Sequence, residues 1–317
     1  MASSVSTTGK TRLQISLEKA AARQGPSVGQ WLEFPGYSLA RTVASLGEDV
    51  SSGFILNFTG SYANHLFYQW VLIDCEHGNI DDNQMYLQVG AISSAGVSPI
   101  VRVPGSEPWM IKRALDCGAH GIMVPMCETK EQAESIVRSC KYPSKEWPRG
   151  VRGAGAMFAP AAFNQNGREY LTHANDNIII IVQIESRTAI ENCEAIAGVA
   201  GIGRFTATLP MTSHLLSRQI CFSSDPMTWL HPWVILPSTT RRYRKFKKLS
   251  REYSAVQKLL ETAAKYKQGF DFVNFGADIV ALTAWMSTEM SKLQQLIKLD
   301  ITTDEESAPA IGSNGYT

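Results

Sequence analysis

The chain of 317 residues has no CxxC or CxxxC spacing, although it holds six cysteines, Cys75, Cys117, Cys127, Cys140, Cys193 and Cys221. Thiols scattered in this way do not form a disulfide framework. They read as reduced side chains of an intracellular protein, with the cytoplasm as the expected compartment ahead of the mitochondrion. No apolar run is long enough to span a bilayer, and the longest, "NIIIIVQI", has the length of a strand, so no membrane partner is expected. Net charge is almost absent: 30 basic against 29 acidic residues leave +1. No global field therefore draws the chain toward nucleic acid or an acidic membrane. No GxGxxG follows the first strand-like segment, which disfavours a dinucleotide-binding sheet. No acidic residue precedes Glu18, and residues 1–24 read as a flexible N-terminal arm rather than an organelle transit peptide. The polar end, 301–317, reads as a disordered tail.

What is present is a rhythm. Apolar runs of strand length ("SVGQWLEFP", "WVLIDCEHG", "SPIVRVPG", "AHGIMVPM", "NIIIIVQIES", "GFDFVNFGAD") alternate with segments of helical spacing that open on caps or proline and stop at glycine. The strands are continuously apolar rather than alternating, as parallel strands covered on both faces are. Six βα units are countable, and either a doubly wound sheet or a (β/α)8 barrel fits them. Polar residues gather where the apolar runs end: Asp74, Glu76 and His77, then Arg102, then Gln183 and Glu185. In a barrel those ends open on one face, where chemistry is done. The plainer alternative is that each residue caps the next helix or pairs with a neighbour. Glu185 resists that alternative best, because an acid ending an apolar strand is costly without a partner or a metal.

The stretches "LIDCEHGN", "VRVPGSEPWMIKRALDCGAHGIMVPM", "RGVRGAGAMFA", "VQIES" and "GFDFVNFGADIVAL" resemble the HpcH/HpaI aldolase and citrate lyase family over about residues 25–49, 70–200 and 263–290. The resemblance implies a single (β/α)8 TIM-barrel domain over 25–300. It also implies a class II aldolase that cleaves or forms a carbon–carbon bond next to a 2-oxo acid such as pyruvate. The partner would be an aldehyde, and a divalent metal (Mg²⁺, Mn²⁺ or Co²⁺) would hold the pyruvate enolate. By the same resemblance Glu185 is a metal carboxylate, Arg102 reaches the keto oxygen, and His77 is the general base. Asp116 is expected to orient His77, Asp74 and Glu76 to support their strand end, and Gln183 to line the metal shell through water. Arg152 and Gly153 match a loop near the substrate. A homo-oligomer, a trimer of dimers, is implied as well.

Two segments depart from the family pattern. Residues 50–69 interrupt an ordinary helix-to-strand connection. They are encodable with intron-like start, branch and end signals, and are expected to be a retained intron of 20 codons. Residues from about 202 to 262 lack both the βα rhythm and the x-Asp-Leu expected to supply a second metal carboxylate, and read as a frame error. Strands six and seven are not recognisable there, so an incomplete barrel, poorly folded in its C-terminal third and weak in metal binding, is the expectation. Three other readings follow. One is a catalytically impaired barrel serving as an oligomer partner. Another is a related lyase acting on a 2-oxo acid or acyl substrate. The third is nucleic-acid binding by "RRYRKFKKLSREY", set aside because that run lies wholly inside the aberrant segment.

Overall fold

The computed structural model describes residues 9–46, 69–207, 234–236, 267 and 272–303. Helix α1 (Arg12–Ala21) comes first, followed by β1 (Ser27–Leu32), α2 (Tyr37–Ser45), β2 (Trp70–Asp74), α3 (Asp82–Ser94), β3 (Ser98–Arg102), α4 (Pro108–Asp116), β4 (Gly121–Val124) and α5 (Lys130–Cys140). Two further helices, α6 (Ala159–Ala162) and α7 (Gly167–Asn177), precede β5 (Ile179–Ile184). After β5 come two short helices, α8 (Arg187–Glu191) and α9 (Cys193–Ala197), divided at Asn192. Helix starts follow local chemistry. Thr11 and Thr129 each make a reciprocal capping box with the glutamine three residues on, Asp81 caps α3, and Pro108 opens α4.

Strands β1 to β6 (Arg204–Ala207) pair side by side in chain order, all parallel. Strand β8 (Phe272–Ala277) returns parallel to β1. Between them, β7 (Val234–Leu236) runs antiparallel to both neighbours. The parallel α/β architecture is therefore present over six consecutive strands, and the regular βα alternation stops at the reversed β7. Strand six, expected to be unrecognisable, exists at Arg204–Ala207: the exposed edge of β5 offers it a four-residue parallel ladder whatever motif the sequence carries. The segments 50–68, 208–233 and 237–266, where the intron and frame-error readings fall, lie outside the described residues, as does Cys221.

Alternation along each strand sorts the side chains. One set, including Leu32, Val71, Ile73, Val101, Ile122, Val124, Ile180, Val182 and Ile184, packs with the helices in a continuous apolar layer. The other set points inward: Gly29 and Trp31 on β1, Trp70, Leu72 and Asp74 on β2, Ile100 and Arg102 on β3, Ile181 and Gln183 on β5, Phe272 on β8. The Trp70 indole stacks on Phe272 with centroids 4.0 Å apart. Gly29 permits this, since a Cβ there would stand 2.0 Å from the Trp70 ring.

The N-terminal arm expected to be flexible over 1–24 contains α1. Leu13, Ser16, Leu17 and Ala20 form its buried face, at spacings of one helical turn, and the capping box fixes its start. Leu13 N–H donates to Ser98 Oγ at 2.9 Å. Ser98 in turn meets His120 Nδ1 at 3.0 Å, and the other ring nitrogen, Nε2, lies 2.9 Å from the Ala162 carbonyl. A carbonyl only accepts, so Nε2 carries the proton and Nδ1 accepts from the serine hydroxyl.

Burial pushes the His120 pKa down to about 4 from 6.5, against the smaller opposing effect of the Ala162 hydrogen bond. A base depressed in the folded state binds its proton more readily when unfolded. Its stabilisation is complete above about pH 6.5 and is lost as pH falls toward 4. We expect wild type to lose about 2 kcal/mol between pH 7 and 5 through this group. Urea midpoints at the two pH values should show it, and His120→Gln should remove that part of the slope. Equal slopes in the two proteins would contradict the assignment.

A separate unit begins at Ile279. Among the described residues it consists of helix α10 (Asp278–Thr303) from its second residue on, and the helix passes the boundary at 300 expected from sequence. No helix among the described residues is long and apolar enough to cross a membrane.

Candidate active site

The strand ends converge on one carboxylate. Asp74, the last residue of β2, is fully buried and accepts from five donors. Arg102, directly opposite on β3 by register, donates from Nε (2.8 Å) and from Nη2. Trp31 Nε1 reaches it from β1 at 3.0 Å, and the N–H groups of Glu76 and His77 close the turn at 3.0 and 3.1 Å. Burial alone would raise the Asp74 pKa. The Arg102 hydrogen bonds and charge, with the Trp31 and His77 N–H groups, outweigh burial and hold it below the ordinary value. The guanidinium is fixed in turn: its Cζ lies 4.8 Å from the Trp31 ring centre and Nη1 is 3.1 Å from Glu76 Oε2. Only 2% of Arg102 is exposed, so the pair is a rigid floor rather than a surface bridge.

Glu76 stands above this floor. Burial pushes its pKa up to about 7, Arg102 opposes that, and Glu185 and Asp74 add to it. His77 follows at the rim, 58% exposed, with Nε2 3.8 Å from Glu76 Oε2. Across the site, Gln183 and Glu185 end β5. Glu185 Oε2 accepts from Met126 N–H at 3.0 Å and Oε1 from Gln183 Nε2 at 3.3 Å. Met126 makes that bond from a left-handed backbone, φ +53°, just past the end of β4.

The structure thus brings together Asp74, Glu76, His77, Arg102, Gln183 and Glu185. It does not bring Asp116 to His77. Asp116 is the last residue of α4, about 12 Å along the helix axis from Pro108 and the strand ends. Its carboxylate pairs with Arg152 Nη2 at 3.3 Å. Arg152 is likewise turned into the wall. It donates to Tyr170 Oη at 2.8 Å, its guanidinium lies between Tyr142 and Tyr170, and its N–H is held by the Lys141 carbonyl at 3.1 Å. Gly153, next to it, has Lys112 Nζ 3.6 Å from where a Cβ would be. The substrate contacts implied for Arg152 and Gly153 are thus not part of this cluster within one chain.

Three residues at the site were not singled out from the sequence. Trp31 orders both members of the Asp74–Arg102 pair. Glu33 stands just past the end of β1. Asp278, just past β8, accepts from the N–H groups of Glu33 and Phe34 at 2.9 and 3.0 Å. The rule that found Asp74 and Arg102, polar residues where an apolar strand ends, points equally to Glu33 in "WLEFP" and Asp278 in "FGAD".

The donors beside Glu185 have the chemistry of a hard-cation site. Among the described residues, buried Gln183 Oε1 accepts no hydrogen bond, an oxygen left for a ligand, and it adjoins a carboxylate. Among the described residues no three His, Cys, Asp or Glu side chains stand close enough together to hold a metal ion. The described residues therefore supply part of a coordination shell. The position at which the family resemblance places a second carboxylate follows β6, beyond Ala207 and outside the described residues.

Parallel strands whose ends carry a buried Arg–Asp pair, a neighbouring carboxylate with an oxygen-rich shell, and a rim histidine define an enzyme-like strand-end site on an α/β fold. Comparison with known proteins gives the class a family. The HpcH/HpaI aldolase/citrate lyase model matches residues 60–206. A 2-keto-3-deoxy-L-rhamnonate aldolase of Klebsiella pneumoniae is 33% identical over 238 residues, covering 73% of this chain and 84% of that protein. The chain belongs to the HpcH/HpaI aldolase/citrate lyase family. A hydroxypyruvate/pyruvate aldolase of Deinococcus radiodurans is 34% identical over 190 residues, 60% of each chain, so this chain matches about three-fifths of that relative's length. The crystal structure of a family member from Burkholderia cenocepacia superposes with a TM-score of 0.65 at 26% identity, covering 89% of this chain and 99% of the other.

Proposed function

We propose that the chain is a carbon–carbon lyase of the aldolase type, acting next to the keto group of a 2-oxo acid such as pyruvate. The observation that carries this is Arg102, immobilised by Asp74 and Trp31 at the strand ends, facing a site bordered by Glu185 and Gln183. A fixed guanidinium costs no reorganisation when negative charge grows on a keto oxygen, so it stabilises an enolate better than a mobile cation does. His77, exposed at the rim, is placed to take a proton from an incoming hydroxyl or to return one. Glu76, its pKa pushed up to about 7 by burial, exchanges a proton near neutrality and is a second candidate for that relay. A divalent cation bound by Glu185 and Gln183 Oε1 would supply Lewis acidity to the keto oxygen. Small-molecule 2-oxo acid and aldehyde partners follow from the reading, as does the homo-oligomer implied by resemblance.

Pyruvate methyl protons exchanging into D₂O test the reading without any aldehyde. We expect the ¹H methyl signal to decay in the presence of protein and Mg²⁺ or Mn²⁺, and to persist after EDTA. A stable signal under every metal condition would overturn the proposal. It would favour the alternative of a catalytically impaired barrel that works as an oligomer partner, for which the reversed β7 is the structural argument.

A further inference from the structure

Glu33 is a charged side chain at the mouth of the site that the reaction as described does not use. Its direction follows from strand alternation. Gly29 and Trp31 face the interior, with Trp31 bonded to Asp74, and Glu33 is the next residue in that series. Its electrostatic neighbours agree, being Asp74, Asp278 and Arg102. Its backbone is held on every side. The N–H donates to Asp278, and the carbonyl accepts from Asn79 N–H at 3.0 Å. Gly78 presses so close that a Cβ on it would lie 3.1 Å from Glu33 Cα. The carboxylate itself makes no hydrogen bond or ion pair among the described residues, and it is half-buried rather than sealed.

Among the described residues this carboxylate has no partner, and Arg102, the cation whose charge acts on it, is already engaged. Arg102 answers Asp74 and Glu76 at once. Among the described residues, the β1 side of the mouth is therefore a hydrogen-bond acceptor on a fixed backbone, its negative charge only partly offset by Arg102. It would receive whatever approaches the floor from outside, which on the proposed reaction is the aldehyde.

We propose that Glu33 sets acceptor specificity: it accepts hydrogen bonds from the hydroxyl groups of an uncharged hydroxyaldehyde and repels aldehydes that carry a carboxylate. This deepens the aldolase reading and rests on it. Like charges held within several ångströms at a partly screened site discriminate by roughly tenfold or more, and salt weakens the effect.

The test compares glycolaldehyde with glyoxylate as acceptors for pyruvate, in wild type, Glu33→Gln and Glu33→Ala. The readout is the ratio of the two kcat/KM values within each protein, so that any loss of folded enzyme cancels. Wild type should favour glycolaldehyde, and raising NaCl should narrow the preference. Glu33→Gln removes the charge and keeps a hydrogen-bonding group. It should shift the ratio toward glyoxylate by about tenfold and abolish its salt dependence. Glu33→Ala should show the same shift and also lose rate with glycolaldehyde. A ratio that stays within about twofold in both variants, on the scale of that electrostatic effect, overturns the inference. Pyruvate proton exchange with no condensation of either aldehyde overturns it too, while leaving the aldolase reading standing. Absence of both exchange and condensation defeats the two together.

Discussion

Replacing Arg102 by alanine is expected to cost about 3–5 kcal/mol of stability, well beyond what an exposed ion pair contributes. The reason is what the substitution leaves behind. Asp74 is fully buried, and its lowered pKa depends on the guanidinium. Without Arg102 the carboxylate must either stay charged in an apolar setting, with only N–H donors, or take up a proton. Trp31 would also lose the cation over its ring. Urea denaturation at pH 7 should give a clearly lower midpoint, and the deficit should shrink on acidification as Asp74 becomes protonated. The double variant Asp74→Asn, Arg102→Met should lose less than Arg102→Ala alone, because it removes both charges instead of orphaning one. A single variant as stable as wild type would mean that Asp74 finds other compensation and that the pair is not the anchor of this strand end.

Glu185→Gln should do the reverse, sparing stability and removing activity. An amide of the same shape keeps an oxygen for the Met126 N–H, and Glu185 is only half-buried, so a change in midpoint within about 0.5 kcal/mol is expected. Pyruvate proton exchange should fall on the order of 10²–10³-fold, the scale on which single preorganised electrostatic groups act. Half-maximal activation should also move to higher metal concentration, which damage to folding alone would not produce. If exchange and the denaturation midpoint fall together, Glu185 is a structural residue, and the donors for a cation must be sought elsewhere on the strand ends.

Most of the frame is legible in the sequence. Continuous apolar runs such as "WVLID" and "NIIIIVQI" cannot be solvated on either face, so a buried parallel sheet followed, and the helix starts were written in Thr129, Asp81 and Pro108. The ends of those runs also gave Asp74, Arg102 and Glu185. The resemblance gives Asp74 a supporting place, yet five donors make it the centre. The link expected from Asp116 to His77 came from resemblance, whereas the chain's own geometry sends α4 away from the strand ends before Asp116 is reached. The reversed β7 was not legible. Three apolar residues, Val234–Leu236, fit a parallel or an antiparallel neighbour equally well, since side-chain alternation is the same in both. Helix α1 is masked in the sequence by the run of Ser and Thr before it, which has the composition of an unstructured start. Its stability comes from one capping box and from partners far away in sequence.

Those distant partners say something about how the chain is made. Leu13 binds Ser98 across 85 positions, Gln14 binds the Asp176 carbonyl across 162, and the Gly9 carbonyl receives Asn177 across 168. Helix α1 leaves the ribosome well before Ser98, Asp176 and Asn177, on which it docks. At ordinary elongation rates the gap from Gly9 to Asn177 corresponds to roughly 10–30 s. During that time α1 lacks the partners it finds at Asp176 and Asn177. Helix α1 therefore settles later than elements made after it, and the β3–β5 region must be assembled before α1 can close over it.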